Sequence, residues 1–222
     1  MSNEFKISYK HELARKTIHM VSISIPVAYF FITKELALWI IIPLTILSII
    51  IDFGSRKPGK FRDFFHKYFG KILRPHEYYD VFTLNGATWV LISAVSCVLI
   101  FPKLLVIVGF TILIISDISS ALIGRRFGRH PLFVNKSWEG TTAFWVSAWL
   151  VIIILGVLFS ASWTFYIFGF IAAFISGWVE ALSTMLKMDD NFSIPISFGF
   201  AMWGGAWIAD SVYHTPFLLL IT

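Results

Sequence analysis

The placement of positive charge between apolar stretches constrains this chain more than any other feature. Of its 18 Lys and Arg, nearly all fall in alternate gaps between apolar runs. The N-terminal arm holds Lys6, Lys10, Arg15 and Lys16, and the gap after the second run holds Arg56, Lys57, Lys60, Arg62, Lys67, Lys71 and Arg74. The gap after the fourth run holds Arg125, Arg126, Arg129 and Lys136, and Lys187 follows the sixth. The intervening gaps carry only Lys34 and Lys103. Because positive residues are retained on the cytoplasmic side, strict alternation of this kind predicts a multi-pass membrane protein with its N-terminus inside. Composition agrees: 57% of residues are hydrophobic and 14% charged, where a soluble domain has about a quarter charged.

A crossing takes roughly 20 mostly apolar residues, fewer where flanking Lys and Arg reach the interface. The sequence therefore predicts an all-α integral membrane protein of about seven spans, at residues 17–33, 35–53, 81–101, 103–123, 141–159, 163–186 and 193–211. The first run, Ile18 to Ile32, has no small-residue cleavage site after it and reads as a retained helix. The apolar tail from Tyr213 to Thr222 is too short to cross again and fits the interface. No repeat or low-complexity linker divides the chain, so residues 1–222 read as one domain. The single cysteine, Cys97, excludes an intrachain disulfide. The net charge of +5 resides in short loops rather than on a soluble face, which points to anionic lipid and small anionic substrates and away from nucleic acid.

Between the second and third spans, Lys60 to Leu73 sets Phe61, Phe64, Phe65, Phe69 and Ile72 at helical spacing opposite Arg62, Lys67 and Lys71. This predicts an amphipathic helix in the headgroup plane, as an anchor or as a gate for a lipid substrate.

Ionisable groups at membrane depth are costly and mark function. Asp117 lies near the end of the fourth span in SDISSALIGRRFGRHP. Asp117, Ser120, Ala121, Gly124 and Gly128 share one helical face. Its small residues suit either the close approach of a phosphate or close packing of another helix. NKSWEGT, Asn135 to Thr141, sets Lys136, Ser137, Glu139 and Gly140 at the start of the fifth span, where a helix N-terminus favours phosphate. Ser137 and Thr141 also suit helix capping. Glu180 stands near the end of the sixth span, followed by Lys187, Met188, Asp189, Asp190 and Asn191. Asp117, Glu139, Glu180, Asp189 and Asp190 are thus expected at one membrane level, an oxygen set suited to Mg²⁺ shared with nucleotide phosphates; a solvated turn is the alternative for Asp189 or Asp190. Glu12, Arg15, Lys16 and His19 form a stripe on the first helix, either a salt-bridge set or part of the same layer, and Arg74, Pro75, His76 and Glu77 precede the third span. Holding a nucleotide triphosphate with metal ions while a lipid hydroxyl arrives from the bilayer is the task this layer suits. No zinc motif and no Cys and His at catalytic spacing are present.

These blocks resemble the CTP-dependent lipid kinases, the family of dolichol kinase, phytol kinase and CTP-using diacylglycerol kinases. The matching segments are ELARKTIH, RPHE, DISSALIGRRFG followed by KSWEGT, VEALS, and DDNFSIP, in that order along nearly the whole chain. The resemblance implies transfer of the γ-phosphoryl of CTP to a lipid alcohol such as phytol, farnesol, a polyprenol or diacylglycerol. It assigns CTP binding to Asp117, Gly124, Arg125, Gly128, Lys136, Ser137, Glu139 and Gly140, and matches Asp190 and Asn191 to a late Asp-Asn pair. Combined with the residue reading, it gives Asp117, Glu180 and Asp190 as metal ligands, Lys136, Glu139 and the three acidic groups as the catalytic set, and Arg15, Lys16 and Arg74 as further nucleotide contacts. The chain lacks the extra N-terminal membrane region of the dolichol kinases, which points away from a long-chain dolichol. The membrane implied is the plasma or inner membrane in a prokaryote, and the endoplasmic reticulum or a plastid membrane in a eukaryote. A CDP-lipid-forming cytidylyltransferase and a small transporter are the competing readings; a transporter normally gathers its polar groups at the midplane rather than at one face.

Overall fold

The computed structural model describes residues 9–57, 59–69, 84–215 and 217, with the side chains of 9–14, 65, 66, 68 and 69 excepted. The helices among them are α1 (Tyr9–Val21), α2 (Ser24–Phe31), α3 (Lys34–Gly54), α4 (Lys60–Phe69), α5 (Gly86–Ile100), α6 (Lys103–Phe127), α7 (Trp138–Leu158), α8 (Trp163–Leu186) and α9 (Asp190–Tyr213). A two-stranded antiparallel hairpin, β1 (Pro131–Phe133) and β2 (Lys136–Ser137), joins α6 to α7. By length and composition α3, α6, α7, α8 and α9 can each cross a membrane, and α5 is a shorter apolar helix. The chain is thus an all-α multi-pass membrane protein.

Local chemistry sets where the elements begin and end. The expected first span is two helices, because Pro26 has no N–H to offer the Ser22 carbonyl and the chain turns ahead of it. The Ser22 carbonyl takes the Ile25 N–H at 2.9 Å instead, and Ile23 N–H closes a tight turn on Met20 O at 3.0 Å. Thr33 Oγ1 caps α3 through Leu36 N–H at 3.3 Å, and Asn85 Oδ1 caps α5 through Thr88 N–H at 2.9 Å. α7 starts three residues before the expected 141, because Ser137 Oγ accepts the Gly140 N–H at 3.2 Å and caps the helix there. α9 likewise starts early, capped by Asp189. The gap between the fourth and fifth apolar runs folds into the hairpin, with Asn135 at φ 60 supplying the left-handed turn residue. α4 matches the expected amphipathic helix over its first ten residues, with Phe61 and Phe64 exposed; Leu73 and Ile72 lie outside the described residues.

α6 is the axis of the bundle: 67% of its apolar window is buried, against 17% for α3. It packs chiefly against α7 and α9, and α1 and α2 lean on it as well. Phe110, Phe144, Phe165 and Phe198 fill the centre with no exposure. α6 and α9 run antiparallel and close: a Cβ on Gly109 of α6 would fall 3.3 Å from the Phe198 ring and 3.6 Å from Pro195 O on α9. α3 packs on α5, which in turn packs on α9.

The two lysines outside the basic gaps have a structural task. Lys34 Nζ donates to Leu99 O at 3.1 Å at the end of α5, and Lys103 Nζ donates to Ile32 O at 2.9 Å at the end of α2. A cation at a helix C-terminus satisfies a free carbonyl and complements the dipole. Phe217 of the tail packs on Phe165 and Phe168 near this same end, where Ser162 N–H meets Phe217 O at 3.4 Å.

Candidate active site at the basic end of the bundle

The opposite end gathers the C-terminal turns of α6 and α8, the first turn of α9, the hairpin and the face of α1 that carries Lys16 and His19. Asp117, on α6, is only 3% exposed, and its Oδ2 forms an ion pair with Lys16 Nζ, itself 4% exposed. His19, one turn further along α1, brings Nε2 to 3.6 Å from the same oxygen, beyond hydrogen-bond distance. Lys16 and His19 of the expected stripe therefore belong to the buried layer, with Lys16 ion-paired in it.

Glu180, on α8, is 1% exposed. Its Oε1 accepts the Lys136 ammonium of β2 and, at 3.2 Å, the Ser120 hydroxyl of α6. Its Oε2 is buried and has no hydrogen-bond partner among the described residues. Asp190, the first residue of α9, joins Asp117 and Glu180 in the electrostatic field at Lys136. Burial works against the Lys136 ammonium, but the carboxylates of Glu180, Asp190 and Asp117 outweigh it and hold its pKa above the ordinary value. Asp117, Lys16, Asp190 and Arg15 act together at His19. Three of the five expected carboxylates thus converge with Lys16 and Lys136.

The other two do not. Glu139 turns to the hairpin, where its Oε1 accepts Arg129 N–H at 3.1 Å and His130 N–H at 3.2 Å and contacts His130 Nδ1 at 2.7 Å. Those bonds brace the hairpin against the first turn of α7. Asp189 is the α9 cap, accepting Asn191 N–H at 3.0 Å and Asn191 Nδ2 at 2.7 Å.

The glycine face is a packing surface. A Cβ on Gly140 would lie 3.0 Å from Ser120 O and 3.2 Å from Gly124 Cα, and one on Gly128 would lie 2.2 Å from Gly124 O and 2.8 Å from Ser137 Oγ. Gly124, Gly128, Ser137 and Gly140 therefore occupy each other's side-chain space, which accounts for small residues there without a ligand. This close crossing sets Lys136 beside α8. Gly140→Ala should lower the thermal midpoint with no nucleotide present, by the equivalent of about 1–3 kcal/mol; the unfolding of the purified protein in detergent, followed by Trp fluorescence, measures it. Arg125 is exposed on the last turn of α6. Thr141, a second expected cap, makes no capping bond; its hydroxyl is buried without a partner. Arg74, His76 and Glu77 lie outside the described residues, as does the side chain of Glu12.

Asp52 is a buried acid that the span pattern did not single out. Near the end of α3 and 2% exposed, it accepts Asn85 N–H and Asn85 Nδ2, each at 2.8 Å, and approaches Arg56 at 3.4 Å. With Ser48 and Thr88 at 2.7 Å one turn away, it ties α3 to the start of α5. The available signal was a carboxylate closing an apolar run, IIIDFG, followed by Asn85 at the head of the next.

Among the described residues no three His, Cys, Asp or Glu side chains come together closely enough to hold a metal ion. Asp117 and Glu180 instead hold a lysine each. The free Oε2 of Glu180 fits a divalent cation that draws its remaining ligands from phosphate, the usual habit of Mg²⁺.

Comparison with known proteins gives one strong and two weaker likenesses. The chain is 32% identical over 190 residues to an uncharacterized protein of Rickettsia prowazekii, spanning 86% of this chain and 92% of that one. It is 26% identical over 220 residues to the CTP-dependent diacylglycerol kinase 1 of Saccharomyces cerevisiae, over 84% of this chain and 71% of that protein. It is 29% identical over 111 residues to a phytol kinase of Synechocystis, over 46% and 44% of the two chains. No family model and no solved structure matches. The chain belongs to the same family as the Rickettsia protein, and it is distantly similar to kinases of membrane lipids.

Proposed function

We propose that this member of the Rickettsia protein's family is a CTP-dependent kinase of a membrane lipid alcohol. The observation that carries the proposal is the convergence of Asp117, Glu180 and Asp190 with Lys16 and Lys136 at one end of a membrane bundle. The yeast and Synechocystis likenesses supply the reaction class, and the yeast protein's name supplies CTP as donor. The acceptor is an isoprenoid alcohol such as phytol, farnesol or a polyprenol, or diacylglycerol.

In this reading α1 and α2 together make the first of seven crossings, α5 serves as the third, and the basic end faces the cytoplasm, where 16 of 18 positive residues would then lie. A soluble nucleotide reaches that end from water and the lipid hydroxyl from the bilayer. Lys136 and Arg125 bind phosphates, and Lys16 and Arg15 extend the same cationic surface from α1. Asp117, Glu180 and Asp190 orient the nucleotide through the cation it carries, and the α6 and α7 crossing at Gly124 and Gly140 fixes Lys136 relative to them. Mg²⁺, when bound, neutralises phosphate charge as the γ-phosphoryl leaves the nucleotide. The lipid oxygen attacks in line, its bond to phosphorus forming as the bond from phosphorus to the β,γ-bridging oxygen breaks; CDP leaves, and the hydroxyl proton passes to a carboxylate of the cluster, Asp117 or Asp190.

The fate of the nucleotide tests this. With CTP and a lipid alcohol, the proposal expects CDP and a lipid phosphate in equal amounts. Pyrophosphate together with a CDP-lipid, formed from a phosphorylated lipid, would replace it with cytidylyl transfer.

A further inference from the structure

The charged pairs at the basic end do not resemble a permanent structural bridge. A buried ion pair repays the cost of leaving water only when its remaining lone pairs are also bonded. Glu180 breaks that rule: Oε1 accepts both Lys136 and Ser120, while Oε2 is buried with no partner among the described residues. The two members of that pair also differ in depth. The Lys136 side chain is 19% exposed and the Glu180 side chain 1%, so the lysine is the member that can withdraw toward water while the carboxylate stays. The second pair shares only part of this arrangement: the carboxylate of Asp117 on α6 is held by a lysine brought from α1, and both side chains are buried.

We propose that Lys16 and Lys136 are exchangeable counter-ions, which neutralise Asp117 and Glu180 until a nucleotide arrives and then transfer to its phosphates, releasing both carboxylates to its divalent cation. The inference deepens the kinase reading and rests on it for the identity of the incoming anion. Charge balances on both sides of the exchange. Two lysines leave two carboxylates, a cation of charge two takes their place, and the lysines gain phosphate oxygens as partners. No ionised group is left alone in the interior at either stage, the condition a buried charge requires. Cation and nucleotide enter together, so the site orders its carboxylates only when there is a phosphate to transfer.

The test is Mn²⁺ binding to the full chain in detergent, read by equilibrium dialysis as the Mn²⁺ in the protein compartment in excess of the free ion and of Mn²⁺–nucleotide on the other side. Wild-type protein alone is expected to bind little Mn²⁺, and to retain it when CTP is added. Lys136→Met and Lys16→Met should each bind Mn²⁺ without nucleotide, at least about tenfold more tightly than wild type, because the carboxylate they expose has lost its counter-ion. Lys136→Gln provides a second variant should Lys136→Met fail to insert. CTP-dependent Mn²⁺ retention by wild type with no gain in the lysine variants would overturn the exchange and leave the kinase reading standing. Gain in the variants, with neither CTP nor ATP promoting retention by wild type, would support the counter-ion role and remove the kinase reading. Wild-type protein that binds Mn²⁺ equally with and without nucleotide would also overturn the exchange.

Discussion

Asp117→Asn is expected to reduce phosphoryl transfer by at least about a thousandfold and, as a separate effect, to destabilise the fold by about 3–5 kcal/mol. The two effects have different origins. On the proposed reading catalysis loses a carboxylate that orients the nucleotide, whereas stability suffers because the Lys16 ammonium, 4% exposed, is left without its partner. They can be separated by adding Lys16→Met. The double variant removes both charges and puts an apolar chain of similar length in their place, a replacement that often costs little. Thermal unfolding should therefore recover toward wild type in the double variant while transfer remains lost. A double variant that regains activity along with stability would reduce Asp117 to a structural partner of Lys16, and full activity in Asp117→Asn alone would remove it from the site.

Lys136→Ala should likewise lower transfer by about a hundredfold to a thousandfold, since it removes the cation proposed to bind phosphate and leaves Glu180 uncompensated. This pair makes a further prediction in pH. The Lys136 pKa is raised above its ordinary 10.5, so its contribution to stability is fully present below that value and is lost only as pH climbs through the higher folded value. The gap in thermal midpoint between wild type and Lys136→Ala should hold steady from about pH 7 to 9 and close only above about 10.5. A gap that closes near neutral pH would mean that the lysine is not held by the acidic cluster.

The bundle was legible in the sequence because membrane helices advertise themselves by length and by loop charge. The expected spans at 35–53 and 163–186 coincide closely with α3 and α8. What composition concealed was local. Pro26 divides α1 from α2 within one apolar run, and the caps at Ser137 and Asp189 start α7 and α9 earlier than hydropathy alone suggests. The acidic layer was legible in part, since Asp117 and Glu180 are conspicuous inside apolar helices. Their lysine partners were not, because Lys16 lies 101 residues from Asp117 and Lys136 lies 44 from Glu180, separations that only the packing of α1 and the hairpin can bridge. Glu139 shows the reverse. Its place in a KSWEGT block suggested chemistry, while its bonds to Arg129 and His130 give it a task in holding the hairpin. The glycines follow the same logic: a row of small residues has one spacing whether it admits a phosphate or a helix, and here α7 fills the space. Asp52 escaped notice because a carboxylate at the end of a span reads as an interfacial residue until Asn85 is seen against it.

The central claim is that this basic, carboxylate-lined end joins a nucleotide to a lipid alcohol. Its most direct measurement offers the purified protein γ-labelled CTP and γ-labelled ATP in separate reactions, with phytol, farnesol, dolichol, undecaprenol and diacylglycerol as acceptors in detergent. The account predicts labelled lipid phosphate from CTP with at least one isoprenoid alcohol or diacylglycerol, and its loss in Asp117→Asn. A folded, inserted protein that labels none of these lipids from either nucleotide would contradict it.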